Sequence, residues 1–248
     1  MPKIALLSLL TFSLMSAQPP TGKVIIDRVT EIMSPENSYS TGSQTIITSS
    51  GKERVFEFES WAAEKGKSTL TRYTKPAAIR GQAFLMLNNA DDIWSYFPRT
   101  KRVRKLASHA KKQKMQGSDF TYEDMGGGDI FQKKFKSTLL SEETRDGELV
   151  WKVELLGIAE EDPPYPKIIL WARQVDYFPV ALDYYNEDGF NSKSLILSDI
   201  QMIEEYPTAM TMVMTDHKEL SSTTMRTLEV TYAWEPPEGF FSERNLKK

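Results

Sequence analysis

From Tyr39 to Trp234 the chain is punctuated at short intervals by turn signals, and between them it alternates like strands. This pattern constrains the fold more than any other feature. In Arg54–Ala63, Phe56, Phe58 and Ser60 fall on one face and Val55, Glu57, Glu59 and Trp61 on the other, because successive strand side chains point to opposite sides. Lys65-Gly66-Lys67, Asn89-Ala90-Asp91-Asp92, Asp146-Gly147, Asp162-Pro163-Pro164, Asp188-Gly189 and Tyr206-Pro207 supply the turns. Strands are expected over Ser43–Ser50, Arg54–Ala63, Ser68–Thr74, Gln82–Asn88 and Ile93–Phe97. After the centre of the chain they resume over Ile130–Leu140, Leu149–Gly157, Lys167–Gln174, Pro179–Asn186, Ser192–Glu205, Ala209–Asp216 and Thr223–Trp234. A parallel α/β fold needs a helical run after most strands, and none is present. The expectation is a mainly β chain of about eleven strands with two or three helices, arranged as an antiparallel sheet, sandwich or barrel.

One helix is clear. Thr21–Met33 places Val24, Ile25, Val29, Ile32 and Met33 near helical spacing, with Lys23, Asp27, Arg28 and Glu31 between them. Thr21 is a suitable cap, and Ser34-Pro35 ends the helix. Upstream, Met1-Pro2-Lys3 is followed by an uncharged, mostly apolar stretch from Ile4 to Ala17. That stretch is too short to span a bilayer and has the form of a secretory signal, expected to be cleaved after Ala17. The expected organisation is residues 1–17 as signal peptide and 18–248 as one domain. The sequence has no cysteine, which excludes disulfides, thiolate chemistry and lipidation at a mature N-terminal Cys.

The central segment Asp91–Gly128 is the least generic. Trp94, Tyr96, Phe97 and Pro98 lead into Arg99, Lys101, Arg102, Arg104, Lys105, Lys111, Lys112 and Lys114, with no Asp or Glu between Asp92 and Asp119. Removing these eight charges from the formal net of −3 leaves −11 on the rest of the chain. An acidic body with one basic stripe does not read as a nucleic-acid binder, but it can steer a partner or touch anionic head groups. Arg99, Lys101, Arg102, Arg104 and Lys105 are the candidate partner or membrane contacts, on a hairpin or loop projecting beyond the sheet; a solvated loop is the alternative. The box Gly117–Asp124 follows, then Gly126–Gly128. Ser118 is expected to cap a short helix to Met125, which the glycines stop.

Catalytic chemistry is sparse. The two histidines, His109 and His217, are isolated, no nucleophile elbow or phosphate loop occurs, and no ligand spacing suggests a metal or another cofactor. The chain is expected not to be an enzyme. It does carry 5 Trp, 10 Tyr, 12 Phe and 11 Met. These are either ordinary core residues or the lining of a sheet curved around an apolar ligand. Phe56, Phe58, Phe84, Met86, Trp94 and Tyr96 are the expected inner-face residues and the candidate ligand-binding lining of an apolar cavity.

Trp94-Ser-Tyr-Phe-Pro-Arg-Thr-Lys-Arg-Val-Arg-Lys105 together with Met115-Gln-Gly-Ser-Asp-Phe-Thr-Tyr-Glu-Asp124 resembles the outer membrane lipoprotein-sorting protein family of LolA-like periplasmic proteins. The order of signal, first helix, hairpins, Lys75-Pro76 break and late Tyr177-Phe178-Pro179 fits as well. The resemblance implies an incomplete antiparallel β-barrel wrapped round a helix, with an apolar cavity for acyl chains. It implies a periplasmic carrier of lipid or lipoprotein moving cargo toward the outer membrane, to which the basic stripe adds an expected transient membrane contact. An accessory binding protein of an RND-type transporter is the second reading.

Overall fold

The computed structural model describes residues 18–125 and 128–248. The expected signal segment, and Gly126 and Gly127 of the triple glycine, lie outside the described residues. The first meander runs β1 (Asn37–Ile47), β2 (Glu53–Ala63), β3 (Ser68–Lys75), β4 (Ala83–Leu87), β5 (Asp92–Phe97) and β6 (Arg102–Lys105). The second runs β7 (Phe135–Arg145), β8 (Glu148–Gly157), β9 (Lys167–Arg173), β10 (Pro179–Tyr185), β11 (Asn191–Ile203), β12 (Tyr206–Asp216) and β13 (Ser221–Thr231). Together they form one open thirteen-stranded antiparallel sheet in the order β6-β5-β4-β3-β2-β1-β13-β12-β11-β10-β9-β8-β7.

This order dictates where everything else goes. The chain starts at the middle of the sheet, walks to the β6 edge, and must then reach the opposite edge before walking back to pair β13 with β1. Leu106–Lys134 makes that crossing. Strands lie about 4.8 Å apart, so the crossing has to pass over a face of the sheet rather than round it. It holds 3-10 turns at Ser108–Lys112 and Met115–Gly117 and the short helices α2 (Tyr122–Met125) and α3 (Ile130–Lys134).

The first helix, α1 (Gly22–Met33), forms where periodicity places it. The Thr21 hydroxyl accepts from the Val24 amide at 3.3 Å, a cap worth about 1 kcal/mol. Ile25, Ile26 and Val29 are its buried stripe, while Val24 and Met33 turn out to be exposed. Its first turn lies directly on β7: a Cβ on Gly22 would come within 2.7 Å of the Thr138 amide nitrogen. Only glycine allows that approach. α1 and the crossing share one face, here the inner face.

The outer face has its own cover. Trp61, Leu70, Ala83 and Leu85 are buried with Leu246, and Trp234, Phe240 and Phe241 pack against them. The C-terminal residues thus lie across the first meander. Arg72 fixes them, donating to the Asn245 carbonyl at 2.7 Å while its guanidinium sits 5.4 Å from the Trp61 ring centre.

One expectation about elements fails. Ile130–Lys134 is helical, so β7 starts only at Phe135; five residues are too few to show a period. Arg102–Lys105 is a strand paired with β5, so the basic stretch opens as a hairpin, one of the two expected forms.

A latched crossing over an apolar wall: the candidate functional site

Phe56, Phe58, Tyr73, Phe84, Met86 and Ile93 line the inner face of the first meander. Phe56 meets Tyr73 edge-on at 5.9 Å, Tyr73 meets Phe84 at 6.3 Å, and Phe84 meets Tyr122 of the crossing at 5.4 Å. Gly42 makes room for one of these rings, since a Cβ there would sit 2.7 Å from Phe58 Cζ. In the second meander the stripe of α1 and Phe120 of the crossing pack on Trp151, Val153, Leu155, Ile168 and Leu170. Phe58 and Met125 touch both groups, so the apolar wall is continuous.

The crossing presses Met115, Phe120 and Tyr122 onto this wall, but its seams are polar. Asp119 is buried. Its carboxylate accepts from Lys114 Nζ at 3.2 Å, Ser221 Oγ at 2.6 Å and Thr223 Oγ1 at 2.7 Å. Its carbonyl accepts from Lys193 Nζ at 2.8 Å. Lys114 also donates to Asp216 at 3.0 Å and Glu219 at 2.8 Å. Burial works against the Lys114 ammonium, yet bonds to Glu219, Asp216 and Asp119 outweigh it and hold its pKa above the ordinary lysine value. Burial likewise pushes the Asp216 carboxyl up, but the Glu219 amide and Lys114 prevail and keep it below the usual range.

Further along, Thr121 and Asp124 cap α2 reciprocally: the Thr121 amide donates to Asp124 at 2.7 Å, and the Asp124 amide to the Thr121 hydroxyl at 3.1 Å. Ser118 is therefore not the cap; it is buried, its hydroxyl donating to the Phe120 carbonyl at 3.2 Å. Tyr165 donates to Asp124 at 3.1 Å, Lys134 to Glu123 at 2.8 Å, and Arg54 to the Gly117 carbonyl at 3.0 Å. Burial raises the Tyr122 hydroxyl to about 12, so it stays neutral at physiological pH. The polar residues of the Gly117–Asp124 box thus fasten the crossing to the sheet.

The expected inner-face set splits. Phe84 and Met86 are buried on the wall, with Phe56 and Phe58 beside them. Trp94 and Tyr96 are on the outer face. The register sets Leu85 opposite Trp94 and Ala83 opposite Tyr96, while Phe84 faces Ser95 and Met86 faces Ile93. Opposite residues in an antiparallel pair share a face, so Trp94 and Tyr96 join Leu85 under the C-terminal cover.

The basic stripe splits too. Lys105 pairs with Asp92 and lies 5.0 Å from the Trp94 ring centre. Lys111 approaches Asp91 at 3.7 Å, Lys112 pairs with Asp162 at 2.7 Å, and Lys114 belongs to the latch. Arg99, Lys101, Arg102 and Arg104 are exposed and make no ion pair among the described residues. Four of the eight charges are thus paired and four are free among the described residues, the free ones on the β5–β6 hairpin.

Sequence reasoning missed Gln44. It is fully buried in the wall; its Oε1 accepts from the Tyr73 hydroxyl at 3.5 Å, and its Nε2 has no partner. The Trp151 indole nitrogen and one Glu123 oxygen are also buried without partners. Sequence reasoning also missed Lys193, Asp216, Ser221 and Thr223, whose role depends on meeting a segment 74 to 104 residues away in the chain.

Two surface hollows, ≈ 640 Å³ beside Glu31, Tyr177 and Tyr206 and ≈ 300 Å³ beside Ile26, Phe131 and Phe135, touch none of the six expected residues. Ser194, Asp183 and His217 do meet, at 2.6 Å and 2.9 Å from Ser194 Oγ. The serine hydroxyl donates to Asp183 and accepts from the Asn191 side-chain Nδ2, so its proton is directed to the carboxylate. In a catalytic triad the histidine bridges serine and carboxylate; here the serine does. Among the described residues no cluster of His, Cys, Asp and Glu is arranged to hold a metal.

A family model described as "uncharacterized protein" matches residues 65–248. In solved structures, a domain from Vibrio parahaemolyticus described as an outer membrane lipoprotein-sorting protein superposes with a TM-score of 0.82 at 25% identity, over 92% of this chain and 98% of that one. A DUF1329 family protein from Desulfovibrio piger gives 0.82 at 23% identity over 91% and 97%. A LolA superfamily protein from Nitrosomonas europaea gives 0.75 at 20% over 92% and 100%. No curated protein matches the sequence. The chain belongs to the matched family, DUF1329, and has the LolA-like fold of the lipoprotein-sorting domains.

Proposed function

We propose that the protein is a non-enzymatic periplasmic carrier of lipid or lipoprotein acyl chains, with the inner wall as its cargo surface. One observation carries this reading: a continuous aromatic and aliphatic wall is covered by an irregular crossing whose seams are ion pairs and hydrogen bonds. Apolar packing lost when such a cover lifts is regained by an acyl chain laid on the same wall, at roughly 0.8 kcal/mol per buried CH₂. The likeness to the Vibrio lipoprotein-sorting domain supports the same reading. Movement of cargo toward the outer membrane is part of the proposal.

Native mass spectrometry of protein purified from its own envelope, followed by solvent extraction, tests it. Acyl lipid should be released, and the delipidated protein should bind a fluorescent fatty acid saturably. The Asp119→Ala variant, with its latch weakened, should take up the probe faster. Absence of extracted lipid together with no saturable binding in either protein overturns the carrier reading. An empty protein held in a stable complex with an inner-membrane transporter would replace it with the accessory one.

A further inference from the structure

We propose that one end of the sheet, built from the Lys75–Gly81 loop and the β5–β6 hairpin, is a docking surface for an anionic lipid bilayer. The two segments are contiguous: a Cβ on Gly81 would lie 3.3 Å from Pro98 Cγ. The hairpin contributes Arg99, Lys101, Arg102 and Arg104, and the loop adds Arg80, which is exposed and donates only to the Thr74 carbonyl, at 3.1 Å. None of the five makes an ion pair among the described residues. Glu57, beside Lys75 at the base of the loop, is paired with it at 2.8 Å.

The surface also has an apolar part. Phe97 is exposed between the basic groups, and Pro76, Ala77 and Ala78 are exposed on the loop. The two turns adjoin, which brings Arg80 of the loop to the same end of the sheet as the cations of the hairpin. Each Lys or Arg beside an anionic leaflet strengthens adsorption roughly fivefold, and an aromatic ring settles at head-group depth. Ile79, one residue from Arg80, packs on the apolar wall with Tyr73 and Phe84. The docking surface is therefore continuous with the proposed cargo surface. That link alone rests on the carrier reading; adsorption does not.

Sedimentation of residues 18–248 with vesicles tests the proposal. The parent should pellet with an equal mixture of phosphatidylglycerol and phosphatidylcholine at low salt, and not with phosphatidylcholine alone. Replacing Arg99, Lys101, Arg102 and Arg104 together by Gln should weaken binding at least about a hundredfold. Replacing Arg28, Lys65, Lys67 and Lys247 by Gln makes the same charge change away from this end and should weaken it far less. Circular dichroism and melting temperature verify that both variants fold. Phe97→Ala should reduce the binding that survives at high salt, where charge is screened. The proposal is overturned if the parent ignores anionic vesicles, or if tip and control variants lose binding equally. Vesicle binding that persists in the tip variant while capture of an acidic protein is lost overturns it in favour of a protein partner. Adsorption without lipid transfer would leave the docking surface standing and remove the carrier reading.

Discussion

The Asp119 carboxylate accepts a 2.7 Å hydrogen bond from the Thr223 hydroxyl, both residues are buried, and the Asp119 amide donates back to the same oxygen at 2.9 Å. This pair joins the middle of the crossing to the centre of the sheet. Asp119→Ala should therefore strand Lys114, Ser221 and Thr223 and cost about 3 kcal/mol in urea denaturation. Thr223→Val removes one partner on each side and should cost about 1–2 kcal/mol. Amide exchange should rise in residues 113–125 before it rises in the strands; uniform acceleration over the whole sheet would mean that the crossing is not a separable unit.

Acid should loosen the same latch. Asp216 is depressed in the folded state, so the stability it lends is full above its unfolded pKa of about 3.9 and is lost as pH falls through its lower folded value. Asp216→Asn should cost stability near neutral pH. The gap between parent and variant should then narrow as pH is taken down to about 3. Urea midpoints measured across that window check the sign: a gap that widens on acidification contradicts the assignment.

Gln44 gives a prediction of the opposite sign. Its Nε2 is buried in an apolar wall with no partner. Gln44→Met alone would take the acceptor from the buried Tyr73 hydroxyl; combined with Tyr73→Phe it removes both polar groups, so the double variant should stabilise the protein by about 1 kcal/mol. On the carrier reading the same change should weaken binding of esterified more than of hydrocarbon cargo, since a carbonyl could have used that donor. Melting temperature and probe titration read the two effects separately.

How much of this was visible in the sequence varies by element for physical reasons. α1 was legible because it buries one face, which imprints a period on the chain through Ile25 and Val29; β2 was legible by alternation, with Phe56 and Phe58 toward the wall and Trp61 under the outer cover. Trp94 and Tyr96 misled because β5 is covered on both faces. The larger side chains went to the outer face and the smaller Ile93 and Ser95 to the wall. The Gly117–Asp124 box stood out as a motif, but its partners Lys193, Asp216 and Thr223 are brought to it only by the return of the second meander. In the basic stripe, charge was readable and pairing was not. Which lysines are neutralised depends on Asp162 and Asp216, which approach from elsewhere in the fold.

The outer cover can be tested at Leu246. Its side chain is fully buried against Trp61, Leu70 and Leu85, and Arg72 holds the neighbouring Asn245 carbonyl. Leu246→Ala should cost about 2–4 kcal/mol, as for other large-to-small changes in a packed cluster. The loss should be local in consequence. Trp61 and Trp94 would gain solvent access, read as a red shift and stronger quenching of tryptophan fluorescence, while amide protection of the crossing at 113–125 would stay as in the parent. The inner and outer clusters lie on opposite faces of the same strands, with Phe84 on one side and Leu85 on the other. If Leu246→Ala also released the crossing, the two faces would be coupled through β4, and lifting the inner cover could not be independent of the outer one.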